Sequence, residues 1–281
     1  MLKFPLQVLV KLDVQKSMNT IDIFSQKDNL ISKWKAGSAK VNVYNNRDSM
    51  AKAAAIELRK KIKYIVEQES HVRMVFAAAP SQTEFLSYLT ATPDIPWNCI
   101  TAFHMDDYIK LPRDAPQRFS NWLDKHLFSK VPFKKINKIA STGAPEDICA
   151  SYAAQLSENP IDIVCLGIGV NGHLAFNDPP VADFEDESDV KLVKLDDVCR
   201  QQQVDDGCFK SFCEVPEYAV TLTIPQLMSA KSIICVVPGS HKKNAVKTAL
   251  YGPISVSCPA SILQTHKNAE IFLDHEAVSN D

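Results

Sequence analysis

The sequence predicts a single-domain α/β fold, with a mainly parallel central sheet flanked by helices, and two observations carry that prediction. Apolar runs at residues 72–78, 99–103, 161–166, 219–224 and 233–237 have the length and continuity of strands buried on both faces, and 271–273 is a shorter candidate. Between them lie segments with the periodicity of helices: 47–67, where Ala and Leu/Ile recur with charges between, then 81–90, 119–128, 145–156 and 241–250. Such alternation builds a layered, Rossmann-like fold whose ligands bind beyond the carboxyl ends of the strands. The expected division is an N-terminal extension and first helix over 1–40, the α/β domain over 41–275 and a tail over 276–281.

Composition sets the outer limits. The chain has 281 residues, 46% hydrophobic and 23% charged, enough for a sizeable core. A formal net charge of −2, with scattered Lys and Arg, gives no case for nucleic acid. No apolar run reaches the roughly 18 residues of a membrane helix, and residues 1–16 lack the pattern of a signal peptide. A cytoplasmic, non-membrane protein is the expectation. The eight cysteines show no zinc-ligand spacing, so all are read as reduced, with Cys165 and Cys235 buried. No metal and no cofactor are expected.

The loops that follow the strands hold the chemistry, in chain order. After 72–78 comes Ala79-Pro80-Ser81-Gln82-Thr83-Glu84, where hydroxyls and free backbone N–H groups can bind an anion. An ordinary helix cap completed by Glu84 accounts for the same residues. After 99–103 comes His104-Met105-Asp106-Asp107-Tyr108. Adjacent carboxylates leaving a buried strand are expensive unless solvated or used, and in extended chain one can face a cleft while the other bonds inward.

After 161–166 comes Gly167-Ile168-Gly169-Val170-Asn171-Gly172-His173, then Asn177-Asp178-Pro179-Pro180. The glycines permit tight turns and close approach to a ligand, and His173 can move protons near neutral pH. Asp178 is placed to orient or charge that imidazole. The Gly-x-Gly-x-x-Gly pattern alone is a weak dinucleotide signal, and its late position argues against that use. After 233–237, Pro238-Gly239-Ser240-His241-Lys242 is a turn that can hold a phosphate.

Together these residues resemble the glucosamine-6-phosphate deaminase/isomerase family, which shares its fold with 6-phosphogluconolactonase. Thr101 to Pro112 is similar to the family's Phe-Asn-Met-Asp-Glu-Tyr-x-x-Leu-Pro, Gly167 to Pro179 to its Gly-x-Gly-x-Asp-Gly-His-x-Ala-Phe-Asn-Glu-Pro, and Pro238 to Lys242 to its second phosphate loop. The lactonase branch has Asp-Glu-Arg where this chain has Asp106-Asp107-Tyr108, which favours the amino-sugar branch. The resemblance implies aldose–ketose isomerisation and deamination of a hexosamine 6-phosphate, of gluco or galacto configuration, giving a ketohexose 6-phosphate and ammonia. A lactonase-like hydrolase and a weakened sugar-phosphate-binding regulator are the alternatives. Whether the chain forms a homo-oligomer is left open, and no allosteric cluster is evident.

Residue by residue, the resemblance implies Asp106 as the base between C2 and C1, His173 as the ring-opening group and Asp178 as its charged partner. Asn171 is counted with these catalytic residues, Ser81, Gln82, Thr83 and Lys242 would hold the phosphate, and Gly169 and Gly172 would bind the substrate through the loop backbone. Three departures stand out. Asn171 replaces the family's Asp, and Asp178 its Glu, so the relay to His173 is altered. The first phosphate loop lacks the family's glycines. The family's phosphate-binding Arg has only Arg200 as a candidate, in a long polar stretch over 183–212 that is read as an active-site lid.

Overall fold

In the computed structural model the chain is described from residue 29 to residue 278, so most of the expected N-terminal extension lies outside the described residues. Eleven strands fall in two sheets. They are β1 (Leu30–Ala36), β2 (Ala39–Tyr44), β3 (Val72–Phe76), β4 (Ile100–His104), β5 (Asp106–Tyr108), β6 (Lys135–Ile136), β7 (Ile163–Leu166), β8 (Val190–Lys194), β9 (Tyr218–Leu222), β10 (Ser232–Val237) and β11 (Ala269–Asp274). The helices are α1 (Arg47–Glu69), α2 (Thr83–Ala91), α3 (Phe119–Leu123), α4 (Pro145–Ser157), α5 (Asp197–Asp205), α6 (Ile224–Met228) and α7 (Lys243–Tyr251).

The large sheet runs β1-β2-β11-β10-β7-β3-β4-β6. Every neighbouring pair is parallel except β1 with β2, an antiparallel edge. Successive residues of its strands feed opposite cores. Val164, Leu166, Ile233, Cys235 and Val237 pack on one face with α4 and α7; Ile163, Cys165, Ile234 and Val236 pack on the other with α1 and α2. Both faces are thus covered, which is why these strands read as continuous apolar runs. Helix α1 starts where the Asn46 side chain accepts from Ser49 N, and α4 starts at Pro145, whose missing N–H costs nothing in a first turn.

Residues 30–44 form a β-hairpin; residues 1–28 of the stretch where a first helix is expected lie outside the described residues. The run at 219–224 does not join the parallel sheet: β9 pairs antiparallel with β5 and β8 in a separate three-stranded sheet. The stretch 183–212, read as an active-site lid, carries β8 and α5, the latter capped by Asp196 accepting from Cys199 N.

The chain order places the site. From β3 the chain moves outward to β4, then returns to the other side of β3 as β7. The strand order therefore reverses between β3 and β7, and the loops leaving their carboxyl ends part to open a crevice. Beside it, β4 ends the large sheet at His104 and β5 opens the small sheet at Asp106, so that residue stands on the seam.

Candidate active site

A cleft opens at this crevice, lined by residues that include Ser81, Gln82, Asp106, Gly167, Gly169, His173, Gln203 and Asp206. The two acidic neighbours on β5 have separate tasks. Asp107 is wholly buried and saturated: it accepts from the backbone N–H of Tyr108, Phe119 and Ser120, from Ser120 Oγ at 2.8 Å and from Arg118 Nη2 at 2.9 Å. It is a structural pin. Asp106 points the other way, and its carboxylate receives no hydrogen bond from the described residues. Burial, reinforced by the charges of Asp107 and Asp178, raises its proton affinity well above the carboxylate range. Its backbone is held firmly, because His104 Nδ1 donates to the Asp106 carbonyl at 2.9 Å while His104 Nε2 accepts from Ile139 N. Burial keeps His104 neutral, which that bonding pattern requires.

His173 faces Asp106 from the loop after β7. Its Nδ1 lies 2.8 Å from Asn171 Oδ1 and 2.9 Å from Asp178 Oδ1. Asn171 Nδ2 in turn donates to Asp178 Oδ1 at 2.8 Å. Two oxygen acceptors on Nδ1 fix the N–H there and leave Nε2 for the cleft. Both departures from the family pattern thus meet in one closed network. The shorter Asp178 still reaches the ring directly, and Asn171 bridges ring and carboxylate without adding a second buried charge. Burial alone would raise the proton affinity of Asp178, but the His173 ring and its hydrogen bonds outweigh it, and the net shift is downward.

Two glycines have specific reasons. A Cβ on Gly169 would sit 2.2 Å from the His173 ring, so the imidazole lies against the bare backbone. Gly172 has φ +85°, and a Cβ there would meet Cys258 Sγ at 2.5 Å. The His173, Asp178 and Cys199 ligand atoms lie within 4.8 Å of one another, the grouping among the described residues able to hold a metal. Spacing rules miss it because Cys199 comes from α5. With Nδ1 already facing two oxygens, this arrangement can pass a proton between the ring and Asp178.

The candidate anion site is partly as expected. Ser81 lines the cleft. Gln82 also lines it, but its Nε2 donates to Val236 O at 3.1 Å, which ties the loop after β3 to the end of β10. Thr83 begins α2 and is not on the cleft wall. Lys242 is likewise not on the cleft wall; it is buried, within electrostatic reach of Asp206, which does line the cleft. Burial lowers the proton affinity of Lys242 and Asp206 opposes the change. Arg200 is a correction: Nη2 donates to the carbonyls of Phe212 and Val215, and the guanidinium stacks on the Phe212 ring, 4.1 Å from its centroid. It braces the turn after α5 and does not reach the cleft.

Sequence reasoning missed the α5 wall. Gln202 Oε1 accepts from Val170 N at 3.1 Å, and Gln203 Oε1 accepts from Tyr108 Oη at 2.8 Å. Gln203 and Asp206 both line the cleft. The available signal was polar residues at helical spacing, which resembles a solvated helix.

Known proteins resemble this chain over most of its length. The profile described as glucosamine-6-phosphate isomerases/6-phosphogluconolactonase matches residues 45–272. A glucosamine-6-phosphate deaminase of Listeria innocua is 34% identical over 225 residues, 78% of this chain and 94% of that protein. One from Bacillus thuringiensis is 37% identical over 183 residues, covering 64% and 67%. Among solved structures, a monomeric glucosamine-6-phosphate deaminase superposes with a TM-score of 0.76 at 26% identity, over 84% of this chain and 98% of that one. A 6-phosphogluconolactonase from Thermotoga maritima gives 0.68 at 19% identity, over 84% and 99%, and shares the fold. The chain belongs to the family of glucosamine-6-phosphate isomerases and 6-phosphogluconolactonases.

Proposed function

We infer that this protein converts a hexosamine 6-phosphate and water to a ketohexose 6-phosphate and ammonia. The observation that carries the reading is the pairing of a cleft-facing carboxylate of raised proton affinity, Asp106, with an imidazole whose Nε2 is left free for substrate. Aldose–ketose isomerisation moves protons only, and these two groups suffice for that. His173 Nε2 serves ring opening by taking the proton of the C1 hydroxyl and delivering it to the ring oxygen as the C1–O5 bond breaks. The Asp106 carboxylate then takes the C2 proton and returns it at C1, since one carboxylate reaches both carbons of a cis-enolamine. The resulting C2 imine takes up water and releases ammonia. A raised proton affinity makes Asp106 the stronger base. Ser81 and Lys242 are the groups for the phosphate, whose binding energy holds the reacting carbons in place.

The names of the Listeria and Bacillus relatives support this substrate class. The eight cysteines are all free thiols, which supports a reducing, cytoplasmic setting. No helix among the described residues is long and apolar enough to cross a membrane. The test is incubation with glucosamine 6-phosphate and galactosamine 6-phosphate while ammonia and ketose phosphate are measured. Release of both products from either substrate is expected. Turnover of neither, or hydrolysis of 6-phosphogluconolactone instead, overturns the reading.

A further inference from the structure

Helix α5 and its C-cap bring Cys199, Gln203 and Asp206 to one face at i, i+4 and i+7. Their surroundings give that face a direction. Cys199 Sγ lies within 4.8 Å of the His173–Asp178 relay. Asp206, two turns on, lines the cleft and interacts with Lys242. Gln203 is between them, roughly 6 Å along the helix from Cys199 and 4.5 Å from Asp206 at a rise of 1.5 Å per residue. A hexose 6-phosphate laid along this wall has C1 and C2 at the relay and its phosphate at Lys242. Gln203 is then beside the middle of the chain, at C3 and C4.

The orientation of the Gln203 amide is settled by its neighbour. Tyr108 is 1% exposed and packed among Phe119, Phe176 and Phe209. Burial holds the proton on its hydroxyl, and Gln203 Oε1 is the hydrogen-bond acceptor it has, at 2.8 Å. The carbonyl end of the amide is consumed there, so the Nε2 end, with two N–H donors, is turned to the cleft. No described residue accepts from it.

We propose that Gln203 Nε2 donates to the substrate's C4 hydroxyl and thereby sets the discrimination between the two hexosamine 6-phosphates that differ at C4. The assignment rests on the function inferred above. It makes Gln203 a specificity-determining residue and Tyr108 the residue that positions it.

The test compares kcat/KM of the wild type, Gln203→Met, Tyr108→Phe and the double variant on glucosamine 6-phosphate, galactosamine 6-phosphate and 4-deoxyglucosamine 6-phosphate. Gln203→Met is expected to lower kcat/KM on the preferred epimer by about tenfold, the size of one well-made hydrogen bond, and to shrink the epimer ratio by the same factor. It leaves the 4-deoxy substrate unchanged. Tyr108→Phe shifts the ratio in the same direction and adds nothing in the Gln203→Met background. Equal losses on all three substrates, or an unchanged epimer ratio, overturn the proposal. Calorimetric binding of fructose 6-phosphate and tagatose 6-phosphate, which also differ at C4, reads the same discrimination without turnover. If the wild type turns over neither amino sugar, the functional reading fails, while loss of this binding preference in Gln203→Met still decides the role of Gln203.

Discussion

Replacing Gly169 with Ala isolates the placement of the imidazole from everything else in the fold. The added Cβ would lie 2.2 Å from His173 Cε1 and Nε2 and 2.3 Å from Nδ1, while ordinary contact begins near 3.4 Å. The ring must therefore retreat by about 1.2 Å, because the backbone of Gly169 is held: its N–H donates to His173 O and its carbonyl accepts from Gly172 N, each at 3.0 Å. A displacement of this size between reacting groups lowers the rate by about 100-fold, or about 2.7 kcal/mol of barrier. The φ of Gly169 lies outside the left-handed region, so Ala fits the backbone. The unfolded chain becomes stiffer by about 0.4–1 kcal/mol, which offsets part of the steric loss. The expected result is a 100-fold fall in kcat for ammonia release with KM within a few-fold and the thermal midpoint within a few degrees. A kcat within threefold of wild type refutes the argument, and so does a Gly169→Ala, His173→Ala double variant much slower than His173→Ala alone.

Asp106→Asn should reduce turnover by about 1,000-fold yet stabilise the protein at neutral pH. The carboxyl's raised proton affinity means that ionising it in the fold destabilises the native state as pH rises above the ordinary carboxylate range. Urea unfolding should thus show the variant's advantage growing from pH 4 to pH 8, and the acid limb of the wild-type kcat/KM profile should lie above the usual aspartate range. If Lys242 holds the phosphate as proposed, Lys242→Met should cut kcat/KM by about 100-fold and relieve inhibition by inorganic phosphate, since a buried cation there has no substitute. Arg200→Ala should leave KM unchanged and lower stability by about 1–2 kcal/mol, the combined size of its ring stacking and carbonyl bonds. Gly172→Ala should destabilise by about 1–3 kcal/mol, and Cys258→Ala should recover the steric part, leaving the left-handed backbone strain.

The central parallel strands were legible because they are buried on both faces, so residues 163–166 and 233–237 carry no charged interruption. The β1–β2 hairpin was not, since Lys33 and Lys35 break the pattern on an exposed edge strand. The apolar run at β9 gave its strand state but not its sheet: pairing with β5 depends on partners distant in sequence. Asp106, His173 and Asp178 were legible from loops that follow buried strands. The role of Arg200 was misread because residue type suggested an anion ligand, while helix geometry turns it about 100° away from Cys199, which is buried against the His173–Asp178 pair. Gln203 went unseen because a carboxamide advertises nothing until the buried hydroxyl that orients it is located.

The position of Asp106 on the seam between the two sheets has a consequence for how the molecule breathes. Its residue pairs with Thr221, its carbonyl is held by His104, and Leu222 N donates to Met105 O next to it. Amide exchange along β5 and β9 therefore requires the two cores to separate and should report global unfolding. The α5 wall is a short helix tied to the floor by the side chains of Gln202 and Gln203. Its amides should exchange through smaller, local openings. The protein has a rigid floor under its base and a softer wall over its substrate, so a ligand that bridges the two should show itself first as slowed deuterium uptake in α5.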